Sequence, residues 1–89
     1  MPPPRSPVPQ EVSEELERVV QRWRQLPLDH AHVCMPSVRL LVESLAGAPV
    51  PDLGPGVVMD QLRVMVYDAC TAGRADALAD RLAELRRQL

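Results

Sequence analysis

From Gln10 to Leu26 the apolar residues Val12, Leu16, Val19, Val20, Trp23 and Leu26 recur at steps of three and four. That spacing gathers them on one side of a helix. Glu11, Glu14 and Glu15 open the segment and Arg18, Arg22 and Arg24 close it. This order suits the helix dipole and allows a Glu14–Arg18 pair. Pro27 ends the pattern, so a first helix is predicted over 10–26. A second stripe, Val38, Leu41, Val42 and Leu45, runs up to Gly47. Ahead of it Asp29 is a candidate cap, while Pro36 removes a backbone donor and predicts a kink or break. The second helix is therefore expected over 30–46 or, if Pro36 opens it, over 36–46.

Residues 48–56, APVPDLGPG, form a connection too rich in proline and glycine for regular structure, with Val50 and Leu53 expected to pin it to the core. Over 57–71 the residues Val58, Leu62, Met65, Val66, Ala69 and Cys70 keep helical spacing. Val57, Met59, Val64 and Tyr67 add apolar character on the other sides, which predicts the most buried helix of the chain. Gly73 is placed to end that helix in the left-handed conformation. A fourth helix is predicted over 74–88, its seam being Ala75, Leu78, Leu82, Leu85 and Leu89, and the short turn before it implies an antiparallel hairpin with the third. The N-terminal MPPPRSPVP holds five prolines in nine positions and is read as a disordered tail over 1–9. The expected fold is all-α: a small four-helix bundle-like domain over 10–89 behind a proline-rich tail.

Composition narrows this picture. Phe, Ile, Asn and Lys are absent, and all ten basic residues are Arg. The missing residues have codons rich in A and T, which points to a high-GC, bacterial genome. A core without Phe or Ile must be filled by Leu, Val, Met and Ala, with Trp23 and Tyr67 the only aromatics, and this favours helices over sheets. With 89 residues there is room for one modest core, so self-association is expected as added support. No apolar run is long enough to span a membrane, and no signal-peptide pattern opens the chain, so the sequence reads as cytoplasmic, with Cys34 and Cys70 as reduced thiols.

Candidate chemistry is sparse. In Asp29-His30-Ala31-His32-Val33-Cys34 the two imidazoles and the thiol are of metal-ligand type, making His30, His32 and Cys34 the candidate metal residues. On a helix His30 and Cys34 share a face and His32 points elsewhere; on an extended segment all three align. The competing reading is two partly exposed histidines and a buried cysteine. The only histidines lie two residues apart, and the carboxylates of the first and fourth helices fall on polar faces, so no catalytic residue is assigned. There is no glycine-rich phosphate loop and no lysine to serve one, and no cofactor is implied.

Four short helices in an acidic chain, with Ser37 near the expected start of the second, resemble a carrier domain. That resemblance implies a prosthetic arm on Ser37. This chain has Pro36-Ser37-Val38 where carriers have Asp-Ser-Leu, and the absent Asp departs from the attachment motif.

The third and fourth helices also suggest a helix-turn-helix, with Arg18, Arg22 and Arg24 as a local basic face. Against nucleic acid stand the net charge of −2 and the mixing of Arg81 with Asp76, Asp80 and Glu84. The leading expectation is thus a small non-enzymatic protein–protein interaction or regulatory protein that self-associates and binds another protein. A DNA-binding regulator and a metal-binding or carrier-type domain are the alternatives. Trp23, Leu82, Leu85 and Leu89 are candidate contacts with a second subunit; the other reading of the leucine seam is that it closes the bundle.

Overall fold

In the computed structural model, which describes residues 7–89, the chain folds into four helices: α1 (Gln10–Gln25), α2 (Leu28–Ala46), α3 (Val58–Thr71) and α4 (Leu78–Gln88). No strand occurs among the described residues. The expectation of a disordered tail over 1–9 lies outside the described residues at 1–6. At 7–9 the chain is described, and Val8 is half-buried against the core.

The apolar stripe of α1 behaves as its spacing requires: Val12, Leu16, Val19, Val20 and Trp23 are all buried. A two-residue link at Leu26 and Pro27 then reverses the chain. α2 starts at Leu28, earlier than expected, with Asp29 in its first turn rather than at its cap. Pro36 does not break it, and the helix continues to Gly47, whose left-handed φ of 69° closes it. The reason lies on either side of the proline. Ala31, Cys34 and Met35 before it and Val38, Leu41, Val42 and Leu45 after it fall on one buried face, so packing holds both halves in line. Pro36 itself is exposed, which leaves the orphaned carbonyl of His32 on the solvent side.

Residues 47–57 return along α2 and are held by side chains at several levels. Arg39 donates to the Val50 carbonyl at 2.9 Å and Glu43 accepts from the Val50 amide at 3.3 Å. Gln61 donates to the Pro51 carbonyl at 2.9 Å, and the Trp23 indole N–H donates to the Pro55 carbonyl at 3.0 Å. Val50 packs on the core as expected; Leu53 is exposed and does not. Because this connection carries the chain back, α3 begins beside the start of α2 and runs parallel to it.

At the far end Thr71 closes α3 and Gly73, at φ 74°, takes the left-handed position. The Arg74 amide bonds back to the Ala69 carbonyl at 2.7 Å and that of Gly73 to Cys70 at 3.1 Å, satisfying carbonyls that the last turn leaves open. Arg74 is thereby committed to the end of α3, and Ala77 adopts a left-handed φ of 57°, so α4 starts at Leu78 instead of 74. α3 is amphipathic rather than the most buried helix: Val64 and Tyr67 are exposed.

α4 turns back from α3, yet its main partner is α1, with a narrower contact on α2; α3 packs on α2. The expected α3–α4 hairpin is corrected in this respect. Pro9 and Val12 lie beside Ala77 and Leu78 at one end of α1, and Arg22 donates to the Leu89 carbonyl at 3.1 Å at the other, so α1 and α4 are parallel. The directions are therefore up, down, down, up, and one continuous core of buried residues joins all four helices.

Candidate functional site

The polar residues of α1 are spent largely on holding the fold. Glu15 accepts from Arg18 at 2.7 Å and from Arg86 of α4 at 3.2 Å, replacing the Glu14–Arg18 pair expected from spacing. Glu17 accepts from Arg63 of α3 at 2.6 Å. Burial works to raise the pKa of Glu15, but the hydrogen bonds and charges of Arg18 and Arg86 outweigh it and hold the carboxyl below its ordinary value. The Arg63 hydrogen bond does the same for Glu17 against a smaller opposing effect of burial. A carboxyl depressed in the folded state stabilises fully above its unfolded pKa, and that contribution disappears as pH falls through the folded one. Urea unfolding of Glu15→Gln is accordingly expected to show its largest deficit against the wild type near neutral pH, shrinking on acidification below about pH 4.5. A deficit independent of pH would contradict the pairing.

Arginines also serve as carbonyl clamps. Besides Arg22 on Leu89 and Arg39 on Val50, Arg74 donates to the Leu45 carbonyl at 3.1 Å, tying the end of α2 to the turn after α3. Of the basic residues expected to form a face on α1, Arg18 is paired with Glu15, whereas Arg22 keeps its charge beside the Leu89 carbonyl.

The candidate metal residues are divided by the helix that carries them. His30 Nε2 lies 3.5 Å from Cys34 Sγ, one turn apart, and Cys34 also reaches the Gln88 carbonyl at 3.9 Å. His32 points to a separate hollow beside Met35, Pro36, Arg39, Asp52 and Pro55. Among the described residues no group of three or more metal-ligating side chains converges. Cys70 stands near the other end of the molecule, where burial pushes its thiol pKa up. Ser37 lies ten residues into α2 rather than at its start, which removes the placement that resembled a carrier domain.

Trp23, Leu82, Leu85 and Leu89 are 7%, 0%, 4% and 6% exposed, so their side chains are spent on the core of the single chain and offer almost no area to another. The unspent apolar surface is elsewhere. Val33 and Leu40 on α2 are 74% and 73% exposed, and with Ser37 and Ser44 they make a stripe at steps of four, three and four. Val57, Val64 and Tyr67 make another along α3. Neither stripe was singled out from sequence: periodicity left Leu40 off the inward stripe of α2, but Val33 lay ahead of Pro36, where the helix was in doubt, and Val57, Val64 and Tyr67 were read as part of a helix apolar on several sides.

Between α2 and α4 the surface opens into a groove of about 560 Å³. Its floor is Leu41 and Leu85, its α2 wall Ser37, Leu40 and Ser44, and its α4 wall Asp80, Arg81, Glu84 and Gln88. Arg81 spans it at one end, donating to Ser44 Oγ at 2.6 Å. No helix among the described residues is long and apolar enough to cross a membrane. The chain matches no protein-family model, and neither the curated proteins nor the solved structures provide a significant match to it.

Proposed function

We propose that the chain is a small non-enzymatic protein-interaction module that acts through its helix faces and associates with itself. The observation that supports this reading is the exposed apolar surface on α2 and α3 beside a core that is complete without it. Val33, Leu40, Val64 and Tyr67 are each more than half exposed, while among the described residues every buried side chain is apolar and no buried polar side-chain atom lacks a partner. Isolated exposed apolar residues are ordinary on a protein surface; repeated ones on a helix stripe that borders a groove form a patch, and patches of this kind mark contact sites. The small size of the core adds a reason for association, since a second copy would bury further apolar area.

The test is the mass in solution. Sedimentation equilibrium from micromolar to near-millimolar protein is expected to pass from the 9.9 kDa chain to twice that mass. A single species of 9.9 kDa throughout that range would refute self-association.

A further inference from the structure

The groove face carries a protrusion and a hollow side by side. Leu40 stands out from α2 with 73% of its surface exposed, and one turn further on Ser44 is a small exposed side chain whose hydroxyl is turned to Arg81. Facing them on α4, Arg81 has only the Ser44 hydroxyl as a partner, and no carboxylate among the described residues pairs with it. Glu84, one turn along, is engaged solely by the exposed Arg87. The Arg81–Ser44 hydrogen bond sets these two pairs of residues at the same height, since α2 and α4 run antiparallel: Ser44 is level with Arg81, and Cys34 meets Gln88 at the other end.

We infer that this α2–α4 face is an isologous homodimer interface in which Leu40 of each copy sits against Ser44 of the other, and Arg81 of each pairs with Glu84 of the other. This rests on the self-association proposed above and assigns it to one surface. A two-fold axis lying in the interface, across the helices, stacks α2 antiparallel on α2 and α4 antiparallel on α4. For the Leu40–Ser44 contact that axis must cross α2 at the level of Val42. For the Arg81–Glu84 contact it must cross α4 between Leu82 and Ala83. Two residues back along α2 from Ser44 and one to two forward along α4 from Arg81 are displacements of about 2–3 Å in the same direction, so one axis serves both contacts. Each interaction then occurs twice, as closed two-fold symmetry requires. The acidic and basic residues of the rim are complementary to their own rotated copy, which also opposes other registers, because a shift of one turn would set Arg81 against Arg81 or Glu84 against Glu84.

The experiment uses the full chain and four variants. Leu40→Arg is expected to raise the dimer dissociation constant by at least about tenfold, a loss of about 1.4 kcal/mol, with an unchanged helical circular dichroism spectrum. Tyr67→Arg on the outer side of α3 is expected to leave it unchanged. Arg81→Glu and Glu84→Arg are each expected to weaken self-association, whereas an equimolar mixture of the two restores a dimer, since both cross-pairs then join opposite charges. A merely structural role for these residues would not give recovery on mixing. Single variants that dimerise like the wild type, or a mixture no better than its components, would overturn the assignment. If the wild type is a dimer that Tyr67→Arg disrupts and Leu40→Arg does not, the face is wrong and the self-associating function stands. If the wild type is monomeric throughout, both fall together.

Discussion

Leu82→Ala is expected to cost about 3 kcal/mol of folding stability. Leu82 is fully buried at the middle of the α4 seam, between Leu78 and Leu85. This seam faces the α1 stripe of Val12, Leu16, Val19 and Trp23, and it is where the longest-range contacts of the chain are made. Truncation removes three carbon atoms' worth of apolar transfer energy and leaves a void that helices anchored at both ends cannot close. A domain of this size has a total stability on the order of 4–13 kcal/mol, so the loss is a large part of it. Trp23 is the only tryptophan and is itself buried on the same seam, which makes its fluorescence the natural signal for urea unfolding. The expected outcome is a lower midpoint with an unchanged slope; a loss under about 1 kcal/mol would mean that α4 is not packed on α1 as described.

Pro36→Ala carries the opposite sign. An interior proline costs a helix up to about 3 kcal/mol relative to alanine, through a missing hydrogen bond and a steric clash with the carbonyl four residues back. In α2 that carbonyl belongs to His32, and alanine supplies the missing donor to it. Pro36 is exposed and contributes no buried apolar side chain, so little is lost in exchange. A gain of about 1–3 kcal/mol is expected, read as a rise in thermal midpoint of several degrees in a domain this small. An unchanged or lowered midpoint would show that the two halves of α2 meet at an angle an uninterrupted helix does not allow.

That same proline marks where sequence reasoning stopped short. Read locally, Pro36 argues for a break; read across the fold, seven buried residues distributed on both sides of it bind α2 to the core and override the local preference. The start of α4 went wrong for the opposite reason. Arg74, Ala75, Asp76 and Ala77 hold nothing that forbids a helix, but the Arg74 amide is already engaged by Ala69, an interaction that belongs to the end of α3. By contrast the α1 stripe was legible from Val12 to Trp23, with only Leu26 falling beyond the helix, because a spacing of three and four allows only one inward side.

Periodicity gives that inward side and nothing about what it will meet. The leucine seam of α4 could close the bundle or meet a second copy, and the short turn before it pointed to α3; the choice of α1 follows from the 47–57 connection turning α3 parallel to α2. The candidate site suffered most from this. Leu40 already fell outside the inward stripe, but Val33 could be set on its face only once α2 was seen to run unbroken through Pro36. The His30, His32 and Cys34 cluster was visible as residue types, and the helical geometry of α2 separated His32 from the other two.

Parallel packing of α1 on α4 joins the first helix of the described chain to the last. Glu15 and Arg86 are 71 positions apart, and every contact across this seam requires the intervening chain to be closed into a loop first. α1 and α4 therefore gain their buried faces together and late in folding, and lose them together when the domain opens locally. The molecule is fastened the way a belt is, at its two ends, and a cut that frees either helix unfastens the other.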